Sequence, residues 1–460
     1  MTTILNGLSS LISSMGMDSY SLSVFFIAAM FILMIVGLAV GQQLCFVMGG
    51  IGVVLGFLAY GTDAISISLT KVYDGMNSYS SVAIPMFILM ANLLSNSKVA
   101  DGLFESIRYL LGPLKGGLGV AVILVSTVFA ATTGIVGASV VTMGMLSFPV
   151  LLRSNYNKSL TCGLICSGGC LGILIPPSIM LVSLGSYAQI SVGQLFFAAI
   201  IPGLLLSLCY IIYTLIICHI HPDYGPAMSK EELAQMPLKK RITGSLINLI
   251  PPLILIFGVL GSIFAGIATP TEASGVGAVM ALILTIFYRQ FSWKMLYTSI
   301  IETAKTCAMV FSILFMAGCF TGIFMSLDGD VVIMNLLSAL GIGKWGVIAI
   351  LYTLVFIMGC FLDWTGIVMI CLPIFLPILD QFGVDRLWIC ATLAVLMQTC
   401  FMTPPFGFAL FFIRGIVPPG VKMTDVYKGV VPFLVIIIAV TILCTVFPGI
   451  VTALPHHMLG

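Results

Sequence analysis

Two short polar patches interrupt long apolar stretches of the chain. Thr132-Thr133-Gly134-Ile135-Val136-Gly137-Ala138-Ser139 falls inside the stretch 116–152. Gly359-Cys360-Phe361-Leu362-Asp363-Trp364-Thr365-Gly366 falls inside 345–379. Each is followed by a double proline, Pro176-Pro177 in the first case and Pro404-Pro405 in the second. Proline lacks an N–H and clashes with the preceding helical turn. Two in a row leave several carbonyls without helical partners. Such groups must find another partner or line a cavity when no water is at hand. Free carbonyls suit a dehydrated cation, and the N–H groups that open a half-helix suit an anion. The plainer alternative is a pair of kinks packed against neighbouring helices.

Charge is scarce around these patches. No Asp, Glu, Lys or Arg occurs from Ser159 to Pro222 or from Leu387 to Ile413. Asp363, in the second patch, is the exception at depth. A buried acid is costly there and marks a functional site by default. The reading is that Asp363 lends its charge to a cation site; the alternative is a tip residue that reaches external water. No arginine lies near either patch in the sequence. An anion there would have to be held by helix N-termini, hydroxyls and co-bound cations. The hydroxyl candidates are Thr132, Thr133, Ser139, Ser178 and Thr365. Cys162, Cys166 and Cys170 could share a helix face, but metal sites favour tighter spacing and polar company. Glu272, after Thr269-Pro270-Thr271, reads as an N-terminal helix cap. Ser229 and Glu232 form a capping-box pattern that opens a surface helix over 228–243. Its Lys239-Lys240-Arg241 cluster reads as a topology anchor.

The elements that position these residues follow from composition. The chain has 460 residues, 60% hydrophobic, with 18 Lys and Arg and 16 Asp and Glu. Its mean hydropathy is +1.21. Soluble domains carry about 25% charged residues, against 7% here. This excludes a soluble enzyme, a disordered chain and a nucleic-acid binder. Long unbroken apolar runs exclude the alternating pattern of a β-barrel. An all-α polytopic membrane protein remains.

A helix needs about 20 apolar residues to cross a bilayer. Crossing segments are expected near 20–40, 44–60, 81–97, 159–187, 195–218, 245–266, 272–288, 304–326, 387–413 and 430–448. The stretches 116–152 and 345–379 are too long for single spans and read as re-entrant hairpins. With the N-terminus outside, this threading puts every Lys and Arg except Lys71, Lys344 and Arg386 on the cytoplasmic side. A single crossing by the first stretch would weaken that bias.

The halves resemble each other. Residues 148–177 align with 376–405 at an offset of 228, pairing Pro149 with Pro377 and Pro176-Pro177 with Pro404-Pro405. Five spans and one hairpin per half leave the halves in opposite orientations, an inverted repeat of about 5+5 spans. Such repeats are a transporter signature. The expected organisation is an N-terminal extension (1–18), scaffold helices (19–97) and a first transport region (98–192). In that region the hairpin spans 116–152 and the broken helix 159–187. Scaffold and a cytoplasmic arm helix (193–300) follow. A second transport region (301–420) holds a hairpin at 345–379 and a broken helix at 387–416. A C-terminal scaffold helix (421–460) closes the chain.

At Ile84-Pro85-Met86-Phe87-Ile88-Leu89, Gly172 through Ser178, Thr269-Pro270-Thr271-Glu272-Ala273, Phe361-Leu362-Asp363, Leu376-Pro377-Ile378 and Thr403-Pro404-Pro405, the chain resembles the large membrane subunit of TRAP transporters. These are tripartite ATP-independent periplasmic systems of the ion-transporter superfamily. The resemblance runs from about residue 20 to the end. It implies a Na⁺-coupled, elevator-type secondary transporter of the bacterial inner membrane. It also implies a small four-helix membrane subunit and a periplasmic substrate-binding protein as partners, alongside membrane lipids. By position, one Na⁺ site would use Thr133 and Val136 with Gly172, Ile175 and Pro177. A second would use Gly359, Asp363, Thr365 and Gly366 with Met402, Thr403 and Pro405. The implied substrate is a small organic acid anion: a dicarboxylate, keto acid, sialic acid or sulfonate. Trp364 departs from the family's usual small residue or proline after the acid, which puts transfer of a particular substrate in doubt. The rival readings are a binding-protein-independent carrier and an ion channel. An intramembrane aspartyl protease would need a second acid at depth. No Gly-Lys-Ser/Thr phosphate loop is present for ATP drive.

Overall fold

A computed structural model describes residues 19–77, 79–97, 99–234, 236–339, 341–360, 362–404 and 407–458. The N-terminal extension and Pro405 lie outside them. Helices account for every regular element among the described residues. In chain order they begin with α1 (Ser19–Ala39), α2 (Leu44–Tyr60), α3 (Asp63–Met76), α4 (Ala83–Ser95) and α5 (Val99–Leu111). Next come α6 (Gly117–Thr133), α7 (Val136–Arg153), α8 (Lys158–Leu174), α9 (Ile179–Ala188) and α10 (Val192–Ile220). After them run α11 (Lys230–Ala234), α12 (Leu238–Phe264), α13 (Pro270–Phe287), α14 (Trp293–Ser326) and α15 (Gly329–Ala339). The chain continues through α16 (Lys344–Gly359), α17 (Trp364–Gln381), α18 (Arg386–Leu396) and α19 (Gln398–Met402). It closes with α20 (Phe408–Arg414), α21 (Met423–Val446) and α22 (Gly449–Met458).

Eight of these helices are individually long and apolar enough to cross a membrane. The bent pairs α4–α5 and α8–α9 raise the number to as many as 10. The protein is therefore a polytopic all-α membrane protein. Its outward faces carry large apolar side chains, such as Phe257, Ile283 and Val435, as a lipid-facing surface requires.

Contacts divide the chain into two units. The first contains 19–81, 308–354 and 365–385. Its core is a small-residue seam on α2. A Cβ on Gly52 would lie 2.9 Å from the backbone nitrogen of Phe320 on α14. Gly56 lies under Ile323 in the same way. Small residues at this spacing let two helix backbones approach closely where hydrophobic attraction between helices is absent. Phe31 on α1 adds edge-on ring contacts to Phe320 and Phe324.

The second unit contains 82–307, 355–364 and 386–460. Here α4 packs on α13, and α8 packs on α6, α7 and α21. The α8–α21 contact is backbone on backbone, since a Cβ at Gly163 would collide with the Gly429 carbonyl. Asn92 donates to Thr303 Oγ1 at 2.9 Å, a polar link between α4 and α14.

Several boundaries differ from the sequence reading. The surface helix expected over 228–243 is divided. Pro237 is in extended backbone (ψ 146°) and caps a helix that runs without interruption from Leu238 to Phe264. The Lys239-Lys240-Arg241 cluster thus sits in the first turn of a span. Arg241 turns back and donates to the Met236 carbonyl at 2.6 Å and to that of Leu233. Helices α3 and α22 were not anticipated. The α3 sequence is amphipathic, with Lys71 and Asp74 between apolar residues, and falls below a span's hydropathy.

Candidate functional site

The first polar patch forms a tight turn between α6 and α7. Thr132 and Thr133 end α6 by returning their hydroxyls to the Phe129 carbonyl, at 2.6 and 3.2 Å. Gly134 then takes φ +62°, a left-handed conformation that favours glycine. Ile135 is extended and Val136 begins α7. Ser139, one turn into α7, meets Thr133 Oγ1 at 2.8 Å. Either hydroxyl can donate in that pair. Thr132, Thr133, Val136 and Ser139 are all buried.

The two ends of this helix pair lie together. The Leu118 N–H, at the start of α6, donates to Tyr156 Oη just beyond α7, at 3.2 Å. A strap formed by the segment after α10 holds both ends. Gly116 donates to the Gly225 carbonyl at 2.8 Å, and Asn157 to the Tyr224 carbonyl at 3.0 Å. Met228 donates to the Gly112 carbonyl at 2.8 Å. Burial pushes the Tyr156 phenol pKa upward, so the ring stays neutral at physiological pH.

The first helix break faces this turn. Pro176 and Pro177 supply no N–H to the carbonyls of Gly172 and Ile173. Ser178 Oγ donates to the Ile173 carbonyl. It also accepts from Leu181 N at 3.3 Å as the cap of α9. Gly172 keeps no helical donor. Ile175 is extended (φ −81°, ψ 122°), which turns its carbonyl off the helix axis. A Cβ on Gly134 would stand 3.1 Å from the Pro177 carbonyl oxygen. The turn and the break are therefore in contact. Gly134 brings the turn that holds the Thr133–Ser139 hydroxyl pair against Pro177 and Ser178, an array of hydroxyls and carbonyls. That donor set suits a hard cation.

The second break has the same local form. Thr403 has φ −81° and ψ 121°, and donates its hydroxyl to the Thr399 carbonyl at 2.6 Å. Pro404 removes the donor to Cys400, and the Thr403 carbonyl is taken by Gly407 N–H at 3.1 Å. Gly359, at the end of α16, abuts this break: a Cβ there would lie 3.1 Å from Cys400 Cα. Met402 is fully buried and Asp363 half-buried. Thr365 and Gly366, at the start of α17, belong to the first unit, whereas Gly359, Asp363, Met402 and Thr403 belong to the second.

Three contacts near the breaks were not read from the sequence. Gly359 meets Cys400. The Phe412 ring, on α20 beyond the second break, covers Gly137 on α7, and Ile416 covers Gly144. The seven-residue spacing of Gly137 and Gly144 was the available signal, because it places both on one helix face. Gln398 is buried, with its carbonyl oxygen unpartnered among the described residues. Glu272 is a cap, as read: it accepts from Thr269 N at 2.8 Å, and Thr269 Oγ1 accepts from Glu272 N at 3.3 Å.

Comparison with known proteins gives a consistent result. Residues 27–450 match the family described as the tripartite ATP-independent periplasmic transporter, DctM component. The C4-dicarboxylate TRAP transporter large permease protein DctM of Pseudomonas aeruginosa is 29% identical over 412 residues, covering 89% of this chain and 94% of that protein. The isethionate TRAP transporter permease protein DctMQ of Oleidesulfovibrio alaskensis is 29% identical over 427 residues, 92% of this chain and 64% of that protein. The crystal structure of the Alcanivorax borkumensis YdaH transporter superposes with a TM-score of 0.64 at 14% identity, over 94% of this chain and 98% of that one. That similarity is one of fold.

Proposed function

The chain belongs to the DctM component family of TRAP transporters, and we propose that, as the large permease, it couples import of a small organic acid anion to Na⁺. The observation that carries the reading is the contact between the Gly134 turn and the Pro177 carbonyl. It gathers buried hydroxyls and main-chain carbonyls at a helix break, with no Asp, Glu, Lys or Arg from Ser159 to Pro222. Two or more Na⁺ ions are co-transported cargo. One is bound by Thr133, Val136, Gly172, Ile175 and Pro177. The candidates for another, within the second unit, are Gly359, Asp363, Met402 and Thr403. The anion lies between the two polar patches, held by hydroxyls, half-helix N-termini and the ions.

The relatives are named for a C4-dicarboxylate and for isethionate, both small anions. Their chemistry supports the substrate class and leaves the individual acid open. A small four-helix membrane subunit and a soluble periplasmic binding protein complete the system in the bacterial inner membrane. Transport proceeds as an elevator, with the hairpins and broken helices sliding against the remaining helices. Uptake into proteoliposomes by the complete system tests this. Accumulation should require both an inward Na⁺ gradient and the cognate binding protein. Equal flux without either would overturn the reading in favour of a channel.

A further inference from the structure

The first residue of each broken helix is basic: Arg386 grips the far end of the first broken helix, and Lys158 grips the turn that follows the second. Lys158 opens α8, and its Nζ donates to the Gly420 carbonyl at 2.6 Å, in the turn that follows α20. Arg386 opens α18, and its Nη1 donates to the Ala188 carbonyl at 3.2 Å, at the last residue of α9. Lys158 and Arg386 are related by the same offset of 228 that relates the two Pro-Pro pairs.

The local backbone agrees with that offset. Asn155 (φ +56°) and Gly383 (φ +66°) are both left-handed. Tyr156 donates to Leu151 and Val384 to Leu379, each at 3.0 Å. A cation at the first position of a helix opposes that helix's own dipole. Both basic residues are therefore misplaced for the helix they start. Arg386 is well placed for the helix it reaches, because a cation favours a C-terminal carbonyl; Lys158 reaches a carbonyl in the connection beyond α20, where a charged donor strengthens the hydrogen bond.

We propose that Lys158 and Arg386 are repeat-related latches that tie the two broken helices end to end at opposite membrane faces and so hold the two breaks in register. They are positioning residues. They touch no ion or substrate, and they act by keeping the carbonyls of one break fixed relative to those of the other. A surface charge serving only its own helix would affect only that helix.

Hydrogen exchange of the purified full chain tests this without transport. Lys158→Met should raise exchange in the second broken helix, over 399–420, as well as near its own position. Arg386→Met should raise exchange over 171–189. Lys158→Arg and Arg386→Lys should restore protection in both places. Changes confined to the substituted helix, or no rescue by the conservative variants, would overturn the proposal.

A second measurement rests on the Na⁺-coupled reading above. Either Met variant should raise the Na⁺ concentration for half-maximal uptake by about three- to tenfold, with maximal uptake kept. The conservative variants should return it to within about twofold of the parent. Lost maximal uptake at an unchanged Na⁺ requirement would refute the latch. Uptake indifferent to Na⁺ in the parent protein would refute the coupling and leave the exchange result to judge the latch.

Discussion

The phenol of Tyr156 accepts the backbone N–H of Leu118, joining the two ends of the α6–α7 pair across 38 residues of sequence. Both helices pack on α8, and the chain between them turns in two residues. By length and composition alone, α7 qualifies as a membrane span. The Tyr156 bond adds what hydropathy cannot supply: the entry and the exit of the pair lie side by side.

Removing that bond should loosen the entry. Tyr156→Phe leaves the buried Leu118 N–H without its partner, at a cost of about 1–3 kcal/mol. The detergent-solubilised protein should unfold at a lower temperature, and amides at 117–120 should exchange faster. An unchanged exchange rate at Leu118 would show that the bond contributes nothing.

Thiol labelling reads the topology directly. Lys115→Cys and Arg153→Cys flank the pair on either side. A membrane-impermeant reagent should modify both from the same side of the membrane, with the unsubstituted protein as control. Modification from opposite sides would make α6 and α7 two halves of a single crossing.

Gly134 should be intolerant of a side chain. Alanine there faces both the left-handed backbone, at roughly 1 kcal/mol, and the Pro177 oxygen 3.1 Å from its Cβ. Uptake by Gly134→Ala should fall at least about tenfold if the turn must meet the break closely. Gly50→Ala is the comparison: nothing lies within 4 Å of its Cβ, and uptake should be retained. Equal behaviour of the two variants would remove the turn from the mechanism.

The hydroxyl pair beside that turn should report on cation binding. Ser139→Ala withdraws the hydroxyl that lies 2.8 Å from Thr133. The Na⁺ requirement should rise by about three- to tenfold, the worth of about one hydrogen bond. If it does not move, Ser139 only stabilises the start of α7.

Asp363 separates charge from position. Asp363→Asn keeps the shape and most hydrogen-bonding capacity while removing the negative charge. Cation dependence should weaken or lose its cooperativity. An unchanged Na⁺ profile would leave Asp363 as a residue of the turn between α16 and α17.

Much of this architecture was legible in the sequence. Scarce charge and long apolar runs dictate a helical membrane protein, and the ordered motifs from Ile84 to Pro405 point to the family. The Thr132–Ser139 patch and Pro176-Pro177 were visible as polar and proline interruptions. Their mutual contact was not, because it runs through a glycine backbone and a carbonyl oxygen that no residue type encodes. The Pro237 boundary was obscured by a charged run with its own helical propensity. Helix α3 was missed because it is too polar for a span and too apolar for a loop. The strap around Gly225 left no sign, since its bonds join main-chain atoms.

That last property has a consequence for how such a segment changes over generations. Tyr224, Gly225 and Met228 hold the ends of the α6–α7 pair through two carbonyls and one N–H. Most substitutions leave those atoms where they are. Gly225 is the exception, because a Cβ there would run into Cys218. Selection on this segment should therefore act on the number of residues more than on their identity. A single inserted or deleted residue between Ile220 and Met228 would shift every acceptor off its donor, whereas the letters themselves can drift.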